Sequence, residues 1–383
     1  MRAALDWFRR ERLWIQEQHL KLCRIPAPTF FEQKRAEWVA ARFRDLEWDA
    51  KIDRAGNVVA TLERRRESPL VAVTAHLDTV LAPRTPEEIK VAGDGKLFGP
   101  GVCDNGAGLS ALLAIAAAWQ AAKPLDDSPL APVLIANVGE EGEGNLSGMR
   151  YLCRNGASRI KSFLVLDGPG TDRITSRALA SRRFDVSIAG PGGHSWSDYG
   201  IGNPVHALAR AVTLFTDRVP STGPRSSFNF GLIEGGSSIN SIPSEARAKV
   251  DLRSESAARI DEMAALLAAT VEEAVLTENS RGTGRVATKI KEIGSRPGGG
   301  LAADAPILEY MRAVDTHLGI RSHLDCSSTD ANIPLSLGIP AISIGTGGQG
   351  GGAHTSSEWY QPEGREMGLR RILLVLCLLL TNE

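Results

Sequence analysis

Residues 71–80 read VAVTAHLDTV. The first five are apolar or small and rich in β-branching, which suits a strand covered on both faces. In a strand, residues two apart share a face. His76 and Asp78 are therefore expected to project together at the strand's carboxyl end, where ligands bind in open α/β sheets. A carboxylate beside an imidazole can hold one ring nitrogen and leave the other for a metal. The pair by itself also fits an ordinary hydrogen-bonded couple, so other strand ends have to be searched for partners.

They supply several. Residues 99–108, GPGVCDNGAG, form a glycine-rich loop before a helical run at 109–122. Asp104 is therefore expected at or near a helix N-terminus, either as an anion held there or as an N-cap. No Gly-Lys-Ser/Thr follows, so the loop is not a phosphate cradle. Residues 132–138, PVLIANV, read as a second buried strand and run into Gly139-Glu140-Glu141-Gly142. Neighbouring side chains point in different directions, so one glutamate can face a metal and the other a substrate; a solvated acidic turn is the alternative. Residues 163–166, FLVL, make a third such strand, ending at Asp167.

Strands alternating with helices predict an α/β fold, a mostly parallel sheet flanked by helices. Clustered acids on one sheet edge repel unless cations hold them. Near residue 180 the pattern changes to β-α-β-β-α-β, with Asn203-Pro204 opening a helix as N-cap and N1. That order is ferredoxin-like. Residues 180–294 are accordingly read as a domain inserted into a catalytic domain of residues 1–179 and 295–383. At the N-terminus two helices are expected within residues 1–45, and a strand pair within 53–62.

Composition narrows the class. The 383 residues carry 44 basic and 45 acidic side chains, a net charge of −1, which gives no reason to expect nucleic acid or a membrane surface as partner. The cysteines at 23, 103, 153, 326 and 377 are scattered and form no C-x-x-C pair. This argues for a reducing compartment and against a thiolate zinc site. The N-terminus lacks the apolar core of a secretory signal, and the apolar run 372–380 is too short to span a bilayer. A cytoplasmic protein is expected.

Two histidines and three carboxylates suit a pair of divalent ions sharing one carboxylate, zinc first, with cobalt or manganese also compatible. A carboxylate that is not a ligand must then take the proton from water. Read in order, HLDTV at 76–80, the Asp104 loop, GEEG at 139–142, Leu166-Asp167, Gly193-His194-Ser195 and His354-Thr355 resemble the motifs of the dinuclear-zinc metallopeptidase family of aminoacylase, carboxypeptidase G and peptidase T. The resemblance runs the length of the chain and includes the inserted domain as a lid and dimerisation domain.

The resemblance implies two zinc ions. His76 and Asp167 would hold one, Glu141 and His354 the other, and Asp104 would bridge them across a cis Asp104–Asn105 peptide. Asp78 would orient His76, and Glu140 would be the general base. His194 would stabilise the oxyanion from the partner subunit of a homodimer. Asn240 and Arg253, within GGSSINSIP and DLR, fit substrate-binding positions; a turn residue and a surface arginine are the plainer readings. Asn105 stands where many relatives carry Asp or Met, while Thr355 and Glu358 keep the pattern. His206, His317 and His323 carry no motif. The stretches SSTDAN (327–332) and GGHSWSD (192–198) and the glycine run before His354 lean toward a peptidase T-like exopeptidase acting on di- or tripeptides, with an N-acyl-amino-acid deacylase as the alternative.

Overall fold

The computed structural model describes residues 1–383 except 66, 124, 126, 127, 156–158 and 383, and the side chains of 64 and 382. The chain divides into two compact units, Met1–Ala178 with Gly299–Glu383, and Leu179–Gly298.

The first unit is built on a large sheet. Its strands lie in the order Asp49–Ile52, Val58–Thr61, Ala131–Asn137, Leu70–His76, Ile160–Leu166, Ala341–Ile344, Arg173–Ala178 and Gly299–Gly300, with His323–Ser327 also paired to Arg173–Ala178. The middle four run parallel. Their sequences explain this. Ala131–Asn137 is buried at every position, and Leu70–His76 at all but the first. Such strands need cover on both faces, which crossover helices provide. Gly106–Ala122 is one cover and is buried from Gly106 through Trp119. Arg365–Asn382 is another, and its Leu369, Ile372, Leu373, Leu376 and Leu380 join the same core. No helix among the described residues is long and apolar enough to cross a membrane.

Several local expectations shift. The first expected helix is two, Arg2–Arg10 and Arg12–Cys23, meeting at Glu11. Leu13 faces out, because the break changes which side of the helix meets the core. The early strand pair lies at 49–52 and 58–61, since Asp53 Oδ1 accepts the amides of Ala55, Gly56 and Asn57 and so makes the turn. The helix after the glycine loop starts at Gly106, and its N-cap is Asn105, which accepts from Gly108 N. Asp104 stands one residue outside and is free of that duty.

The second unit has a four-stranded antiparallel sheet in the order Ser226–Gly235, Glu245–Ser254, Ala180–Ala189, Ala287–Arg296. With Pro204–Arg218 and Ala257–Arg281 between strands, this is the ferredoxin-like arrangement. Val186, Ile188, Phe215, Leu252 and Leu267 share its core. Asn203 caps the first helix through the Val205 amide, ahead of Pro204.

Candidate metal centre

Three parallel strands deliver site residues to one edge. His76 ends its strand; Glu140 and Glu141 follow Ala131–Asn137; Asp167 follows Ile160–Leu166. The turn at Gly139 requires φ +64°, and a Cβ there would run into Ser147 Oγ. Asp104 arrives on the glycine loop, and the Asp104–Asn105 peptide is cis. His354 comes from the loop after Gln349–Gly351 and sits in the left-handed region, with φ 65°.

Asp104 is central. Its Oδ1 lies 3.1 Å from His76 Nε2, and its Oδ2 lies 3.0 Å from His354 Nε2. His354 Nε2 is also 2.9 Å from Glu141 Oε1, and His76 Nε2 is 3.9 Å from Asp167 Oδ1. Two groups of possible donors thus share Asp104: His76 with Asp167, and Glu141 with His354. A third group joins Glu140 to His76 and Glu141 within 4.8 Å.

The donor set fits divalent cations. His76 Nδ1 lies 3.0 Å from the Asp78 carbonyl, so a neutral ring carries its hydrogen there. Its Nε2 lone pair then faces a carboxylate oxygen, which is tolerable only with a cation or a proton between them. Donor separations of 2.9–3.9 Å bracket the ~3.3 Å that two ligands take around a tetrahedral ion at ~2.0–2.1 Å. No thiolate takes part.

Asp78 meets the His76 ring chiefly through its main chain. Its carboxylate Oδ1 is 3.6 Å from His76 Nδ1, beyond hydrogen-bond length, because the main-chain carbonyl occupies that place. The carboxylate instead accepts the amides of Glu140 (3.0 Å) and Glu141 (2.9 Å) and the hydroxyl of Thr29 (2.9 Å). It locks the glutamate pair to the His76 strand.

The electrostatics show what the cluster costs. Burial alone would lower the His76 imidazole, but the Asp104 and Asp78 carboxylates lift it well above its ordinary value. Burial, followed by the Asp104 charge, pushes Asp167 up to about 7. Burial likewise raises Glu141. The hydrogen bond to Asp104, with Glu141 adding to it, lifts His354 to about 9. A divalent ion must displace these protons. Its affinity is therefore expected to fall about tenfold or more per pH unit from pH 9 to 7, as His354 takes its proton, and more steeply below 7 as Asp167 follows. Chelator competition across this range checks it; an affinity independent of pH would contradict it.

A profile described as peptidase family M20/M25/M40 matches residues 72–377. The chain belongs to this family. It is thus a hydrolase of a metal-dependent peptidase family, with a candidate metal site at the sheet edge. The chain is 24% identical over 350 residues to the uncharacterized protein YqjE of Bacillus subtilis strain 168, covering 87% of this chain and 90% of that protein. Its fold is similar to that of a tripeptidase from Staphylococcus aureus, with a TM-score of 0.78, 20% identity and coverage of 94% and 96% of the two chains. It is also similar to that of the aminopeptidase PepT from Bacillus cereus, with a TM-score of 0.75, 20% identity and coverage of 94% and 98%.

Within this M20 chain, the remaining expected site residues lie in the second unit. Gly193–His194 pairs with Ser241–Ile242, and Ser195 N donates to the Asn240 carbonyl at 3.0 Å, so His194 and Asn240 sit on adjoining loops. His194 Nδ1 accepts from the amides of Trp196 (3.2 Å) and Ser197 (3.3 Å), which leaves Nε2 carrying the hydrogen. Asn240 Oδ1 accepts from Ser238 Oγ. Arg253 donates from Nε to Asp251 Oδ2 at 2.7 Å, on a strand of the sheet.

Sequence reasoning missed the residues that hold the loops. Asn105 does more than cap: Nδ2 donates to the Leu166 carbonyl and Oδ1 accepts from Gly168 N, so it ties the Asp104 loop to the turn bearing Asp167. Glu32 accepts the Gly139 amide, and Asn137 donates to the buried Asp330 at 2.6 Å. These roles are played against main-chain groups or distant side chains, and no local pattern announces them. The donor wall opens on a cavity of about 720 Å³ in the first unit, bordered by Asp104, Asp167, Arg173, Asp325, Gln349 and Trp359.

Proposed function

We propose that the chain is an exopeptidase for di- or tripeptides working with two divalent ions, most simply zinc. The observation that carries the reading is the position of Asp104, with one oxygen against each histidine Nε2. His76, Asp167 and Asp104 would hold one ion, and Glu141, His354 and Asp104 the other. When bound, such ions polarise a carbonyl and acidify a water.

The chain's own residues do the rest. Glu140 accepts the proton of the attacking water on its carboxylate and passes it to the leaving nitrogen. Asp78 keeps Glu140 and Glu141 in register through their amides. His194, with hydrogen on Nε2, is suited to donate to the oxygen where negative charge develops. Asn240 and Arg253 are assigned to the substrate's polar ends; Arg253 would exchange part of its bond to Asp251 for a carboxylate. A homodimer through the second unit would supply His194 from the partner, a reading that the open edge of Ser226–Gly235 supports. Five free cysteines favour a reducing, cytoplasmic setting.

The peptide preference draws on the similarity to the tripeptidase and to PepT. A hydrolysis panel tests it, setting di- and tripeptides beside N-acetyl amino acids on zinc- or cobalt-loaded protein, with a chelator control. Peptide cleavage lost on chelation is expected. Preference for N-acetyl amino acids would keep the mechanism and replace the substrate with that of a deacylase.

A further inference from the structure

The glycine loop that carries Asp104 is moulded around one buried carboxylate. Glu358 Oε2 accepts from Gly101 N at 2.7 Å, and Oε1 accepts from Cys103 N at 2.7 Å and Asp104 N at 2.8 Å. The Glu358 carbonyl accepts from Gly99 N at 2.9 Å. The residue is 2% exposed, so these bonds are shielded from water. From the other side the loop's carbonyls are taken by buried groups. His19 donates from Nε2 to Val102 O at 2.7 Å, its Nδ1 being filled by Arg365, and Cys23 Sγ donates to Gly101 O.

Glu358 is also four residues beyond His354. The strand that follows it, Trp359–Gln361, pairs with Leu97–Phe98, immediately before the loop. One side chain therefore joins the segment bearing Asp104 to the segment bearing His354, whose side chains meet at 3.0 Å.

We propose that Glu358 is a positioning residue that sets the Asp104 carboxylate against His354 before any metal arrives. This rests on the reading of Asp104 and His354 as ligands. A loop with this many glycines has many conformations to lose, and three charge-assisted bonds to the amides of Gly101, Cys103 and Asp104 select one of them. A ligand held ready spares the metal the ordering cost, so the effect of Glu358 should appear in metal affinity.

The test uses Glu358→Gln and Glu358→Asp in the full chain. Glutamine keeps the shape but turns an N–H toward an amide N–H. Aspartate keeps the charge but is one methylene short of the three amides. Zinc affinity is measured by chelator competition, and hydrogen exchange is followed in residues 99–106 against the core strand Ile160–Leu166. Both variants are expected to bind zinc ~10–100-fold more weakly, with faster exchange confined to 99–106. Loss in the glutamine variant with none in the aspartate variant would make charge the cause and overturn the proposal. Unchanged affinity in both, or failure of both to fold, would also overturn it, the latter by assigning Glu358 to general stability. A parent chain with no zinc affinity would overturn the ligand reading and this proposal together, whereas affinity persisting in parent and variants overturns this proposal alone.

Discussion

Glu140→Gln is expected to retain its metal ions and lose ~10²–10⁴-fold in kcat. Glu140 is buried at the end of a sheet strand, and its backbone amide is fixed to Asp78 at 3.0 Å. Glutamine matches its shape, so the turn and the neighbouring Glu141 should stay in place. What it cannot do is take a proton from water and return it to the leaving nitrogen. An effect on kcat with little change in KM would mark an interaction made only in the transition state. Metal content by elemental analysis, together with steady-state kinetics on a cleaved peptide, separates the outcomes. Near-parental kcat would remove Glu140 from the base role, and loss of metal would make it a ligand.

Asp104→Ala is expected to do the reverse. It removes both oxygens that face the histidines, leaving each half of the site with two protein donors. Neither half then reaches the three or four ligands a zinc site normally uses. Metal should be lost from both halves, and activity with it. The fold should survive, because the loop is held through main-chain groups by Glu358, His19 and Cys23. The variant also relieves Asp167 of the neighbouring charge that, after burial, pushes it up to about 7. Circular dichroism and metal analysis check both halves of the statement; a variant that keeps full metal content would show that Asp104 is not shared.

Much of this was legible in the sequence because long apolar runs leave a parallel strand few choices. VAVTA and FLVL are followed at once by His76 and Asp167, and PVLIANV is followed, after Gly139, by Glu140 and Glu141. Strands buried on both faces and running parallel bring all such ends to one edge, which is where His76, Glu140, Glu141 and Asp167 stand. The ferredoxin-like order of the second unit was legible for the same reason, from alternation and from the Asn203-Pro204 helix start.

Other features left no such trace. Arg173–Ala178 and His323–Ser327 are strands made of RITSRA and HLDCS. They pair with each other, and Arg173–Ala178 also pairs with Ala341–Ile344, so pairing and not an apolar pattern marks them as strands. Asp78 looked like a partner for the His76 ring, yet the chain's path at the strand end presents its carbonyl to the ring and its carboxylate to two amides. Glu358 stood out only as part of the motif after His354, with no role attached. Its partners are backbone amides more than 250 positions away in sequence, and an amide carries no signature.

The most direct test of the two-metal account is a crystal structure of the zinc-soaked chain with anomalous data at the zinc edge. Two peaks are predicted, ~3.5–4 Å apart, one beside His76 and Asp167 and the other beside Glu141 and His354, with Asp104 touching both. A single peak, or peaks away from Asp104, would contradict it.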